Sequence, residues 1–249
     1  MRGKVVVVTG ANSGIGFVAC RELAKMGASV LLVCRDAQRG ASALEAVAQS
    51  ATGEPPELLL ADMSSQAAVR ALADDLHRRP AIDVLINNAG AIFARRELTG
   101  DGIEKTFATN HLGPFLLTNL VLDLVAARPG GRIVNVAAES LLSTLDFGNL
   151  QGERRYGFLS AYFRSKLENI IFSFDLAERL KATGITVNCL SPGPTNTRFG
   201  HEMTGPVSLF PRYVKKLFPG AETGARTLIH LASLRSSTVS PASSFFASG

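Results

Sequence analysis

The chain has 249 residues, 46% hydrophobic and 19% charged, with 23 Gly, 11 Pro and no Trp: enough for a full core without staples, and too apolar to be disordered. Its net charge of +5 is spread over isolated Lys and Arg and far-apart pairs such as Arg78-Arg79 and Lys215-Lys216, which speaks against nucleic-acid binding and suits an anionic ligand. Cys20, Cys34 and Cys189 form no disulfide framework or zinc motif, and no run reaches ~18 apolar residues, so a reducing, cytoplasmic setting with no membrane span, signal peptide or metal site is expected.

Short β-branched or leucine-rich runs alternate with longer helical patterns. Strands are predicted at Lys4–Val8, Ser29–Cys34, Glu57–Ala61, Asp83–Asn87, Arg132–Ala137, Thr186–Leu190 and, more faintly, Ser244–Ala247. Helix-period segments lie near 14–26, 38–50, 65–78, 102–127, 160–182 and 222–234. Continuously apolar strands separated by helices mean a parallel sheet covered on both faces. Right-handed crossovers make this an α/β, doubly wound Rossmann-type sheet of about seven strands. No linker or repeat interrupts it, so residues 1–249 read as one domain. The stretch 195–221 lacks periodicity and mixes Gly and Pro with Phe199, Met203, Leu209, Phe210, Leu217 and Phe218. It reads as a lid, its apolar residues facing either a lipophilic ligand or the body of the protein.

The first strand runs into Thr9-Gly10-Ala11-Asn12-Ser13-Gly14-Ile15-Gly16, followed at once by an amphipathic helix. Glycines at 10, 14 and 16 permit tight turns and let a pyrophosphate approach main-chain N–H groups at a helix N-terminus. Between a first strand and a helix, this is the setting of a dinucleotide site.

Further along come Asn87-Asn88-Ala89-Gly90 at the end of strand four, Asn110 in Thr109-Asn110-His111-Leu112-Gly113, Tyr162-Phe163-Arg164-Ser165-Lys166, and Pro192-Gly193 after strand six. Together with T-G-x-x-x-G-x-G, in this order, the chain resembles the short-chain dehydrogenase/reductase family over roughly residues 4–235. The segments NHLGPFLLTNL, FGNLQGE and AYFRSKLENIIF look like its retinol-dehydrogenase-like branch. An N-terminal membrane-anchoring helix, which several members of that branch carry, is not expected here.

The resemblance implies a nicotinamide cofactor touching Gly10, Asn12, Ser13, Gly14, Ile15, Gly16, Asn88, Ala89, Gly90, Pro192, Gly193, Thr195 and Thr197. Asp62 and Met63 stand where the family meets the adenine, although Asp62 reads equally as a helix-capping acid before Ser64. Where NAD-selective members carry an acid at the end of strand two, this chain has Cys34, followed by Arg35. A guanidinium there suits a 2′-phosphate and predicts NADP(H), with Asp36 as the N-cap of the next helix.

Tyr162 and Lys166, four apart, share one helix face. A free phenol titrates near 10, and a neighbouring ammonium together with the positive nicotinamide would lower it, fitting Tyr162 to exchange a proton with a carbonyl or alcohol oxygen. By resemblance Lys166 also holds the nicotinamide ribose, and Asn110 holds Lys166 through a water. His111 reads as packing or hydrogen bonding rather than as a base.

One position departs from the pattern: Ala138 stands where the family places its catalytic serine. Loss of such a donor costs about 10²–10³ in turnover. Ser140 faces the same side of an extended strand but about 6.5 Å further on, and could replace it only if the chain bends; Ser143 and Thr144 are weaker substitutes. The expected function is an NADP(H)-dependent carbonyl reductase or alcohol dehydrogenase acting on a lipophilic aldehyde, ketone or alcohol, with Tyr162, Lys166, Asn110 and Ser140 as its catalytic set. The missing serine leaves two alternatives: a lyase, cyclase or isomerase on the same scaffold, or a cofactor-binding, catalytically weak protein. A homodimer or homotetramer built on the two long helices is expected by resemblance.

Overall fold

Six of the predicted runs pair as strands: β1 (Val5–Thr9), β2 (Ser29–Cys34), β3 (Glu57–Leu60), β4 (Val84–Asn87), β5 (Arg132–Val136) and β6 (Thr186–Leu190). The structure, a computed structural model, describes residues 1–139, 144–193 and 220–234. All neighbouring strands are parallel, in the order β3-β2-β1-β4-β5-β6. This is the order of a doubly wound sheet, with its topological switch point between β1 and β4. The seventh strand expected at Ser244–Ala247 and nearly all of the lid lie outside the described residues.

The sheet is buried on both faces because its strands alternate apolar side chains to each. Val6, Val8, Val30, Leu32, Val84, Ile86, Val134 and Val136 pack under α1 (Gly14–Lys25), α2 (Ala37–Ala48) and the last helix, α8 (Ala221–Ser233). Val7, Leu31, Val33, Leu85 and Ile133 face the other layer. That layer holds α3 (Gln66–Leu76), a helical run from Lys105 to Ala126, and α7 (Phe158–Arg179). A single domain results, with all six strands ending at one edge.

The run expected as one helix over 102–127 is in pieces: α4 (Lys105–Phe107), a π-turn (Ala108–Leu112), α5 (Gly113–Leu120) and α6 (Leu122–Ala126). The π-turn has a cause in the sequence. Pro114 lacks the N–H that an α-helix needs at that point, and the Gly113 N–H bonds five residues back, to Ala108 O. Gly113 is also required for packing, since a Cβ there would fall 2.1 Å from Met63 O.

Candidate active site

The site lies where the strands end. The Gly10 and Ala11 N–H groups donate to Val33 O at 2.9 and 3.3 Å, tying the glycine turn to β2. Gly10 and Gly14 have φ of 67° and 57°, which side chains rarely adopt. A Cβ on Gly10 would sit 2.8 Å from Ala89 Cα, and one on Gly16 would sit 2.4 Å from Asn88 Nδ2 and 2.7 Å from Gly10 O. Two of these glycines thus let the turn close onto the end of β4.

Asn88 works inward. Its Nδ2 donates to Thr9 O at 2.9 Å and Gly10 O at 3.2 Å, while the Asn88 and Ala89 N–H groups both donate to Thr9 Oγ1 at 3.0 Å. Besides the cofactor contact expected of it, the Asn88 side chain holds the cradle's shape. Ser13 occupies the N-cap of α1 with no side-chain cap among the described residues, and the first turn carries no acid. The first N–H groups of a helix have no intrahelical partner, so this end suits a phosphate. The glycine-lined turn and the uncapped helix start fit a dinucleotide pyrophosphate.

Arg35 follows β2 and is exposed. Asp36 caps α2, accepting from the Arg39 N–H at 2.9 Å and from Arg39 Nε at 3.1 Å, and these bonds hold its carboxyl below the usual range. Asp62 accepts from the Ser64 N–H and hydroxyl at 2.9 and 2.8 Å, closing a local turn, while the helix cap expected of it falls to Ser65, whose side chain accepts from the Ala68 N–H at the start of α3. Met63 is buried against the sheet.

On α7, Lys166 is 3% exposed and Nζ donates to Val136 O at 2.9 Å. Nζ lies 5.8 Å from the centre of the Tyr162 ring. A Cβ on Gly90 would sit 3.3 Å from Lys166 Nζ and 3.5 Å from Asn110 Oδ1, so glycine lets the end of β4 lie against both. The Asn110 carboxamide is fully used: Oδ1 accepts from the Ala91 N–H at 2.7 Å, and Nδ2 donates to Ala91 O at 2.9 Å and Ser165 Oγ at 3.1 Å. Asn110 thus grips the chain after β4.

Burial sets the electrostatics. It pushes the Lys166 ammonium down to about 8, against a pull upward from Cys189, and it pushes the Tyr162 phenol above its ordinary value. In the protein alone burial is the cause that moves the phenol, by disfavouring its charged form; the lowering expected of Lys166 together with a positive nicotinamide belongs to the cofactor-bound state. Both groups are biased towards their neutral forms.

Ala138 is half-buried just beyond β5, and Glu139 is exposed. Ser140, Ser143, Thr195 and Thr197 lie outside the described residues, whereas Thr144 is exposed and Pro192 and Gly193 come one residue after the end of β6. Among the described residues no cluster of His, Cys, Asp and Glu is arranged for a metal. Sequence reasoning misses Asn169 and Glu168 on α7, both polar and both buried. The Pro114 signal, four residues past Asn110, could have pointed to the first.

The short chain dehydrogenase family model matches residues 4–206. Mouse retinol dehydrogenase 14 is 39% identical over 247 residues, covering 93% of this chain and 74% of that protein. Human retinol dehydrogenase 11 is 40% identical over 237 residues, covering 92% and 73%. Among solved structures, an uncharacterized protein from Mycobacterium paratuberculosis is 32% identical with a TM-score of 0.75, covering 94% of this chain and 78% of that one. A short chain dehydrogenase/reductase family protein is 28% identical with a TM-score of 0.73, covering 96% and 94%. The chain belongs to the short-chain dehydrogenase family of oxidoreductases, and within it is similar to the retinol dehydrogenases.

Proposed function

We propose that the protein is an NADP(H)-dependent oxidoreductase that interconverts a lipophilic aldehyde or ketone and its alcohol. The observation that carries this reading is the placement of Tyr162 beside Lys166 on one buried helix face, reached from the same sheet edge as the glycine turn. The N-terminal turn of α1 and Gly10, Asn12, Ser13, Gly14, Ile15 and Gly16 would hold the pyrophosphate, Arg35 the 2′-phosphate, and Gly90, Pro192 and Gly193 the nicotinamide end. Bound there, the nicotinamide supplies or accepts a hydride.

The protein's own share is proton transfer. Tyr162, kept protonated by burial, gives its phenolic proton to the developing alkoxide during reduction and recovers it from the alcohol during oxidation. Lys166, pinned by Val136 O, offers a nearby positive charge that favours the phenolate once the proton has left. Ser140 is proposed to donate to the substrate oxygen where Ala138 offers only a methyl group.

The names of the similar proteins, retinol dehydrogenases, favour a long apolar alcohol or aldehyde. The apolar residues of 195–221 would suit such a substrate. Among the described residues no helix is long and apolar enough to cross a membrane, and a cytoplasmic location is proposed. A homodimer or homotetramer is supported by Phe115 on α5 and Ile171 and Phe174 on α7, which leave large apolar side chains exposed on adjoining helices. NADPH oxidation measured against aldehydes of increasing chain length tests the reading. Turnover should rise with apolar length and vanish in Tyr162→Phe; turnover that survives the variant would remove Tyr162 from the chemistry.

A further inference from the structure

The backbone carbonyl of Asn110, in the π-turn, receives a side-chain hydrogen bond from outside its helix. In a regular α-helix Asn110 O would accept from residue 114, but Pro114 has no N–H to give. A buried carbonyl without a donor costs about 1–3 kcal/mol. Here the donor comes from α7: Asn169 Nδ2 reaches Asn110 O at 2.8 Å. With its nitrogen committed, Asn169 turns Oδ1 towards His111 Nδ1 at 2.9 Å. His111 therefore carries the proton on Nδ1 in that bond.

Asn169 is in turn anchored. It is 5% exposed, and its backbone oxygen accepts from Ser173 Oγ at 2.6 Å. Ser173 Oγ accepts from Asn135 Nδ2 at 2.8 Å, and Asn135 Oδ1 accepts from Asn87 Nδ2 at 2.8 Å. A buried polar ladder thus runs from β4 and β5 through α7 to the π-turn.

We propose that Asn169 is a positioning residue of the active site: by supplying the donor that Pro114 lacks, it fixes the π-turn and so holds the Asn110 side chain against Ala91 and Ser165, beside Lys166. The proposal rests on the reading of Tyr162 and Lys166 as acid–base groups. A π-turn contains one more residue per turn than the α ladder, so its collapse would rotate Asn110 away from Ala91. The chain at Gly90, which lies against Lys166 Nζ, would then be released. Lys166 is otherwise faced by the Val136 carbonyl, the Cys189 thiol and the Tyr162 ring.

The test compares Asn169→Leu with the double variant Asn169→Leu, Pro114→Ala. The single variant should lose kcat by about 10²-fold, the scale of a small misplacement at a reacting centre, with a much smaller change in nucleotide KM. The double variant restores an N–H at position 114, so Asn110 O regains a partner through an ordinary α ladder. Its thermal stability should recover while kcat stays low. Recovery of kcat together with stability, or full kcat in the single variant, would overturn the proposal; the double variant decides alone where the single one does not fold.

A second readout needs no turnover. Pulse acetylation of Lys166 by acetic anhydride, followed by peptide mass spectrometry, should be several-fold faster in both variants because the lysine is less confined. An unchanged rate overturns positioning. Should the wild-type chain reduce no carbonyl with either nicotinamide, the proposed function falls, and the acetylation rates still decide the role of Asn169.

Discussion

Glu168 gives a quantitative test of how burial governs the helix that carries Tyr162 and Lys166. It is 8% exposed, and among the described residues neither carboxylate oxygen has a hydrogen-bond partner. Burial pushes its carboxyl from 4.5 up to about 8; Arg164, one turn earlier on α7, pulls it down, and Glu104 pushes it further up. The folded value is raised, so between these two limits the unfolded chain has released the proton and the folded chain has kept it. Stability is therefore whole below the unfolded value and is lost as pH rises towards the folded one. At 1.36 kcal/mol for each unit, the loss is about 3 kcal/mol near pH 7 and about 1 kcal/mol near pH 5.

Glu168→Gln keeps the shape and removes the titration. It should be more stable than wild type by about 3 kcal/mol near neutral pH, a rise in Tm of about 6–12 °C for a chain of this size. The advantage should shrink to about 1 kcal/mol or less near pH 5. Urea unfolding of both chains at the two pH values measures it. A glutamine variant less stable at neutral pH, or one whose advantage does not change with pH, would refute the reasoning.

Three further substitutions probe the site. Gly16→Ala places a Cβ against Asn88 Nδ2 and Gly10 O; it should cost about 1–3 kcal/mol of stability and weaken NADPH binding in a fluorescence titration, whereas unchanged affinity would detach the turn from the nucleotide. Arg35→Ala should raise the Kd for NADPH about 10–100-fold, the scale of one lost charge-assisted hydrogen bond, and leave NADH nearly unaffected; an equal loss for both would assign Arg35 elsewhere. Ala138→Ser should raise kcat by up to about 10²-fold by restoring a donor to the substrate oxygen. No gain in steady-state turnover would mean that the oxygen is already served.

Much of the fold is legible because a parallel sheet covered on both faces writes its strands as unbroken apolar runs. Ser29–Cys34 and Thr186–Leu190 form strands with the expected limits, and the other four described strands shift by a residue at one end or both. Helix starts are readable where a short polar side chain leaves the backbone little choice: Asp36 caps α2 and Ser65 caps α3.

The candidate site is less legible where its chemistry depends on neighbours distant in sequence. The spacing of Tyr162 and Lys166 shows that they share a face, but not that burial pushes both towards their neutral forms. Asn88 reads as a cofactor contact, and only the approach of β1 to the end of β4 shows that its amide also holds Thr9 and Gly10. Asn169 and Glu168 read as ordinary polar positions on a long helix, and only the packing of α7 against the π-turn and α4 turns them inward. The π-turn follows from Pro114, which a periodicity template treats as one position in a continuous helix.

The central claim is hydride transfer to a carbonyl carbon with Tyr162 as the proton donor. Deuteride transfer from deuterated NADPH to a panel of lipophilic aldehydes and ketones, read by mass spectrometry, tests it most directly, with NADPH binding measured in the same samples and Tyr162→Phe alongside. The account predicts one deuterium on the carbinol carbon of the wild-type product and none from the variant, although both bind NADPH. A product without deuterium, or no product despite tight NADPH binding, would contradict it and favour non-redox chemistry or a purely cofactor-binding role.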